Sequence, residues 1–179
     1  PARPVRLIVP QSAGGSTDVI ARVVALRMSD GLGQPAVVDN RPGAGTLVGV
    51  ELVANAAPDG HTLLVVASSY TIIPALHKKL PFDPVRDMTA VTQLATLPHI
   101  LVVHPSVPAH SVKDLVALAQ ARPGELNFAS SGFATSTHMA AELFMYMTGT
   151  RMVHVPYKGG APAMVGLLGG PRQRNFATL

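Results

Sequence analysis

The sequence has no cysteine and no tryptophan, with aromatics at 4% and charged residues at 13%. Without cysteine there is no disulfide, no thiol nucleophile and no cysteine-ligated metal. No apolar run reaches the ~18 residues of a membrane span. The chain carries 14 Lys and Arg against 10 Asp and Glu, a net charge of +4. These basic residues are scattered, apart from Arg172 and Arg174. A nucleic-acid surface would gather them in a stripe with interleaved aromatics; none is present, so the charge reads as a solvated, mildly basic face and no nucleic-acid partner is expected. Also missing are His-Glu-x-x-His, a Gly-Lys-Ser/Thr phosphate loop and Gly-x-Ser-x-Gly. His99 and His104 lie an odd number of steps apart on an expected strand and so face opposite sides. No metal, no cofactor and no pair of catalytic carboxylates is indicated. No signal peptide precedes Pro1-Ala2-Arg3-Pro4, which reads as a mature or trimmed N-terminus. The lack of cysteine fits a periplasmic location.

What is present is an apolar α/β pattern. Hydrophobic residues make up 47% of 179, enough for one domain or two small lobes. Residues 5–9 form a β-branched run closed by Pro10. Helical spacing follows in Val19, Ile20, Val23 and Val24, with Ser16 as the expected cap and Gly31 and Gly33 as stops. Strands are expected at 36–38, 62–66, 99–103, 126–128 and 152–155, with 90–97 extended. Helices are expected at 46–56, 111–121, 137–147 and 161–168; Ser111 and Asp114 form a capping-box-like start. Residues 74–87 read as a proline-marked connection. Strands alternating with helices give mainly parallel sheets, divided here as 1–100 and 101–179, with 98–108 as the crossing and hinge between lobes.

Two loops carry the same chemistry. Gln11, Ser12, Gly14, Gly15, Ser16, Thr17 and Asp18 follow the first strand. Ser130, Ser131, Gly132, Thr135, Ser136, Thr137 and His138 follow a later one. Each is rich in glycine and hydroxyls, holds no Lys or Arg, and opens a helix. N–H groups at a helix start, with roughly half a positive charge from the dipole, suit an anion. Two such loops facing one cleft could hold it from both sides. Ser68 and Ser69 lie at the same end of a strand, where α/β folds place ligands. Plainer readings stand beside these: a glycine turn with an ordinary serine cap, solvated hydroxyls at the second loop, and a His138 packed on its own lobe. Asp18 is unexpected beside an anion. It could cap the helix, hold a water or reject a misshapen ligand. Gly43-Ala44-Gly45-Thr46-Leu47-Val48-Gly49 matches a dinucleotide fingerprint only weakly, without the acidic residue expected ~20 positions on. Close packing of helix on sheet accounts for it better. Ser131 or Ser136 with His138 could be read as a hydrolase pair, but near neighbours on one helix rarely adopt nucleophile–base geometry.

Several motifs in order resemble one family, the periplasmic substrate-binding proteins of tripartite tricarboxylate transporters, or Bug family. They are Pro10 with Gly14-Gly15 and Asp18; Leu32-Gly33-Gln34-Pro35; Asn40-Arg41-Pro42-Gly43-Ala44-Gly45; Ala57-Pro58-Asp59-Gly60; Leu80-Pro81-Phe82-Asp83-Pro84; Ser130-Ser131-Gly132; His138 with Glu142-Leu143-Phe144; and Val155-Pro156-Tyr157-Lys158-Gly159. The resemblance implies a two-lobed, type II periplasmic binding protein that captures a small carboxylate and passes it to membrane transporter subunits, without catalysis. It implies ligand contacts from 11–18 and 130–138. An aromatic residue usual in the family is replaced by Gln11, which implies a changed ligand preference.

The family is longer. Residues 171–179 are expected to lie outside its pattern, as a frameshifted or truncated end. The second lobe and the return segment to the first are then incomplete, with open sheet edges that favour a homodimer or a strand-exchanged dimer. The alternative to ligand capture is a truncated paralogue that folds and dimerises but binds nothing.

Overall fold

A computed structural model describes residues 1–169 and 176–178. The chain divides into two compact units, Pro1–Leu97 and Pro98–Leu179.

In the first unit, β1 (Val5–Val9) is the central strand of a parallel sheet. It is flanked by β2 (Ala36–Asn40) and β3 (Thr62–Leu64), in the order β2-β1-β3. Val5, Leu7 and Val9 alternate onto one face, where they meet Ala21 and Ala25 of α1 (Ser16–Leu32). The alanines let the helix approach the strands closely. Leu63 packs with that cluster, whereas its neighbour Leu64 joins Val50, Ile73 and Phe82. Because strand side chains alternate, α2 (Leu47–Ala54) and α3 (Ser69–Leu76) cover the opposite face. A 3-10 turn, Ala44–Thr46, leads into α2.

The second unit has a four-stranded sheet ordered β4-β7-β5-β6: β4 (Val102–Val103), β5 (Asn127–Ser130), β6 (Val153–Pro156) and β7 (Phe176–Thr178). β5 runs parallel to β6 and β7, and β4 pairs antiparallel with β7. Leu115 and Ala119 of α4 (Val112–Ala121) and Phe144 of α5 (Ser136–Thr148) pack on one face with Val103; Ala163 and Leu167 of α6 (Gly160–Leu168) pack with Val102 on the other. The expected start of α4 is present: Ser111 Oγ accepts the Asp114 N–H at 3.2 Å, and Asp114 Oδ2 accepts the His110 N–H at 3.1 Å.

Several expectations change. The start of the proline-marked connection, residues 74–76, belongs to α3, so Pro74 lies inside a helix. Only Val102–Val103 of the expected strand 99–103 is paired, and residues 91–100 are exposed without regular structure. The α1 cap is Gly15, and Ser16 is the first helical residue. Of residues 171–179, expected to stand outside the pattern, 176–178 form the inner strand β7, and the others lie outside the described residues.

Candidate functional site

Asp18 is buried at 2% exposure, and it organises the first loop. Its Oδ2 accepts the Gly14 N–H at 2.9 Å and Arg22 Nε at 2.9 Å; its Oδ1 accepts Asn40 Nδ2 at 2.9 Å. The Asn40 amide also donates to Gln11 O at 3.0 Å, joining the ends of β1 and β2. Gly14 takes φ +83 to turn its N–H inward, a conformation open to glycine at little cost. Burial pushes the Asp18 pKa up, but the bonds from Arg22, Gly14 and Asn40, with the Arg22 charge, outweigh it and hold the carboxyl below its ordinary range. Of the three roles considered for Asp18, it performs a form of the first: it caps the turn. Asp39 likewise takes Arg6 and Arg41, at 2.6 and 2.9 Å. Arg22, Arg6 and Arg41 are therefore each paired with a carboxylate. The first α1 N–H with a backbone partner is that of Val19, to Gly15 O at 3.0 Å, which leaves the N–H groups of Ser16, Thr17 and Asp18 without helical acceptors.

The second loop is fixed by neutral groups. Ser131 N donates to Thr137 Oγ1 at 3.0 Å, and the two hydroxyls lie 2.9 Å apart. Thr135 Oγ1 donates to Gly132 O at 2.6 Å, so the α5 N-cap residue braces the loop instead of capping with its side chain. Ser130 is buried: its Oγ accepts the Gly132 N–H at 3.1 Å and lies 2.6 Å from His154 Nε2. Gly132, at φ +138, has only 3.1 Å between an added Cβ and Tyr157 O. Ser136 remains half-buried at the first helical position.

His138 packs on its own unit. Its Nδ1 accepts the Ala134 N–H at 3.2 Å, and its Nε2 lies 3.4 Å from Glu142 Oε1. Its ring stacks on His154 at 4.0 Å, which stacks on Phe128 at 4.7 Å. Burial lowers the His138 pKa despite Glu142, and burial with the adjacent His138 lowers that of His154 to about 4. Ser130 and His154 have nucleophile–base spacing, but the serine is 1% exposed and the imidazole is a weak base. The pair's visible work is holding the loop.

Ser68 is exposed at the start of α3, and Ser69 is buried. Ser69 Oγ, Ser12 Oγ and Thr46 Oγ1 are buried without a hydrogen-bond partner. Thr46 was not among the residues expected from sequence. The available signal was a hydroxyl residue directly after Gly43-Ala44-Gly45 at a helix start, the pattern of the other two loops. The packing expected of that glycine stretch is present: a Cβ on Gly49 would lie 2.7 Å from Pro10 Cβ. Among the described residues no cluster of His, Asp and Glu could hold a metal ion, and no helix is long and apolar enough to cross a membrane.

Residues 20–179 match the model of the tripartite tricarboxylate transporter family receptor, so the match includes the end expected to be foreign. Protein BugT of Bordetella pertussis is 43% identical over 172 residues, which is 95% of this chain and 53% of that one. A UPF0065 protein of Pseudomonas sp. strain P51 is 39% identical over 95% of this chain and 51% of its own. The chain thus spans about half the length of these curated relatives. Among solved structures, a protein of R. palustris with adipate superposes with a TM-score of 0.93 at 37% identity, covering 99% of this chain and 59% of that one. MatC from Rhodopseudomonas palustris with bound malate gives 0.83 at 31%, covering 93% and 57%. The chain belongs to the tripartite tricarboxylate transporter receptor family.

Proposed function

We propose that this chain is the ligand-holding portion of a periplasmic solute receptor that captures a small carboxylate for membrane transporter subunits. The observation that carries the reading is the first loop. A buried Asp18 fixes its shape and occupies Arg22, while the N–H groups at the α1 start stay free. An anion there meets backbone donors and a helix dipole rather than a competing side-chain cation. The second loop offers Ser136 and the α5 start in the same way. His138, with its ring nitrogens engaged, acts behind that loop. Relatives solved with adipate and with malate favour a dicarboxylate as ligand. No chemical step is needed.

Thermal-shift titration with four- to six-carbon dicarboxylates tests the reading. The protein should melt higher with at least one of them, and Gly15→Leu combined with Ser136→Leu should abolish the rise. No shift with any dicarboxylate would overturn it.

A second reading, a chain that folds and self-associates without a ligand, has one observation in its favour. Val19, Val23 and Leu26 form an exposed stripe on α1, at 53, 60 and 63% exposure. Light scattering decides it: a monodisperse monomer that binds a dicarboxylate removes this alternative.

A further inference from the structure

We propose that Thr46 contacts the ligand, forming with Ser12 and Ser69 a three-hydroxyl seat for one carboxylate group within the first unit. The inference rests on the solute-binding reading above and adds a residue to it.

Three side-chain oxygens among the described residues are buried without a partner: Ser12 Oγ, Thr46 Oγ1 and Ser69 Oγ. Each follows a different strand of one sheet: Ser12 follows β1, Thr46 follows β2 and Ser69 follows β3. The strands are parallel, so all three connections leave the same edge. Packing links the three connections. Gly49, near the start of α2, sits where an added Cβ would lie 2.9 Å from Pro10 Cα, two residues before Ser12. Leu47 and Tyr70, which directly follow Thr46 and Ser69, pack on the same cluster of Val50, Ile73 and Phe82.

The backbone supports the assignment. Thr46 holds φ +87, and Ala44 holds φ +44. A β-branched residue in the left-handed region is an outlier that persists where surrounding structure enforces it, commonly at ligand sites. The same residue carries a buried hydroxyl with no partner, itself an unfavourable state. A single acceptor placed among the three would satisfy hydroxyls that the described residues leave unpaired. Three O–H donors suit an acceptor-only group such as an ionised carboxylate. Asp18 and Asp39 hold Arg22, Arg6 and Arg41, so these three cations are already paired.

The test is isothermal titration of wild type, Thr46→Ser, Thr46→Val and Ser69→Ala with adipate and with malate, alongside melting without ligand. Thr46→Ser should retain affinity. Thr46→Val and Ser69→Ala should each bind about 10- to 100-fold more weakly, the effect of losing one hydrogen bond to a charged acceptor. The melting temperature of ligand-free Thr46→Val should be unchanged or higher, because an unpartnered hydroxyl has gone. Unchanged affinity with a lower melting temperature would assign the hydroxyl to a structural water and overturn the proposal. Should Thr46→Val fail to fold, unchanged affinity in Ser69→Ala overturns the seat by itself. Binding of equal strength in all four proteins removes the seat and leaves the receptor reading standing. Wild type binding neither probe removes both.

Discussion

In the loop after β1, one buried carboxylate does the fixing: Asp18 gathers Gly14, Asn40 and Arg22. In the loop after β5, hydroxyls and stacked imidazoles do it: Thr137, Thr135, Ser130, His154 and His138. Both leave a helix start with free N–H groups after a parallel strand. The same helix-start backbone can therefore be braced by an ion pair or by neutral groups. The brace, more than the binding surface, decides how each loop responds to acid and to mutation.

The largest expected contrast is in pH. An ordinary histidine binds its proton near 6.5, whereas folded His154 binds it near 4. Between those values the unfolded chain holds more protons, so stability falls as pH drops from about 6.5 to about 4 and this residue adds nothing further below. The loss is at most on the order of 3 kcal/mol, reduced by the solvent screening of a partly exposed ring. Asp18 behaves differently: its depressed pKa gives stability that persists above its ordinary 3.8 and is lost only as pH falls further. Hydrogen-exchange protection factors, which remove the pH dependence of the intrinsic rate, should therefore fall first around β5 and β6 between pH 7 and 4.5, with those of β1 and α1 unaffected. His154→Phe should flatten that dependence. A uniform fall in protection in both units would erase the contrast.

Mutation should sharpen it next. Asp18→Ala leaves Gly14 and Asn40 without their acceptor and Arg22 unpaired; it should cost about 2–3 kcal/mol in denaturant melts. Thr137→Val removes one neutral acceptor of the second loop and should cost about 1–2 kcal/mol. Equal losses would mean that the carboxylate is no stronger a brace than the hydroxyls. The smallest effect belongs to the exposed Arg3–Asp59 pair, both partners solvated. Arg3→Ala should leave the melting curve unchanged, as for most surface ion pairs.

Much of this was legible beforehand. The strand 5–9, the glycine turn and the helix beyond it announce themselves through β-branched runs, Pro10 and helical spacing. Ser111 with Asp114 predicted a cap that forms. α3 was hidden because proline normally interrupts a helix interior. Burial of Ile73 at 1% exposure against Val50 and Phe82, with Tyr70 Oη donating to Pro84 O, overrides Pro74. The apolar run 99–103 misled in the other direction: Ile100 is 69% exposed, and only two residues find a partner strand. At the site, residue types gave away the two loops but not their wiring. That Asp18 faces inward, and that both His138 nitrogens are used within the second unit, depends on contacts no spacing rule encodes. Thr46 was obscured because its neighbouring glycines had a sufficient packing explanation.

Amide exchange of the peptide spanning 11–18, with and without saturating adipate, tests the central proposal most directly. Exchange there should slow on binding, because the proposed ligand accepts main-chain N–H groups at the α1 start. Adipate binding that leaves the exchange of 11–18 unchanged would contradict the proposal.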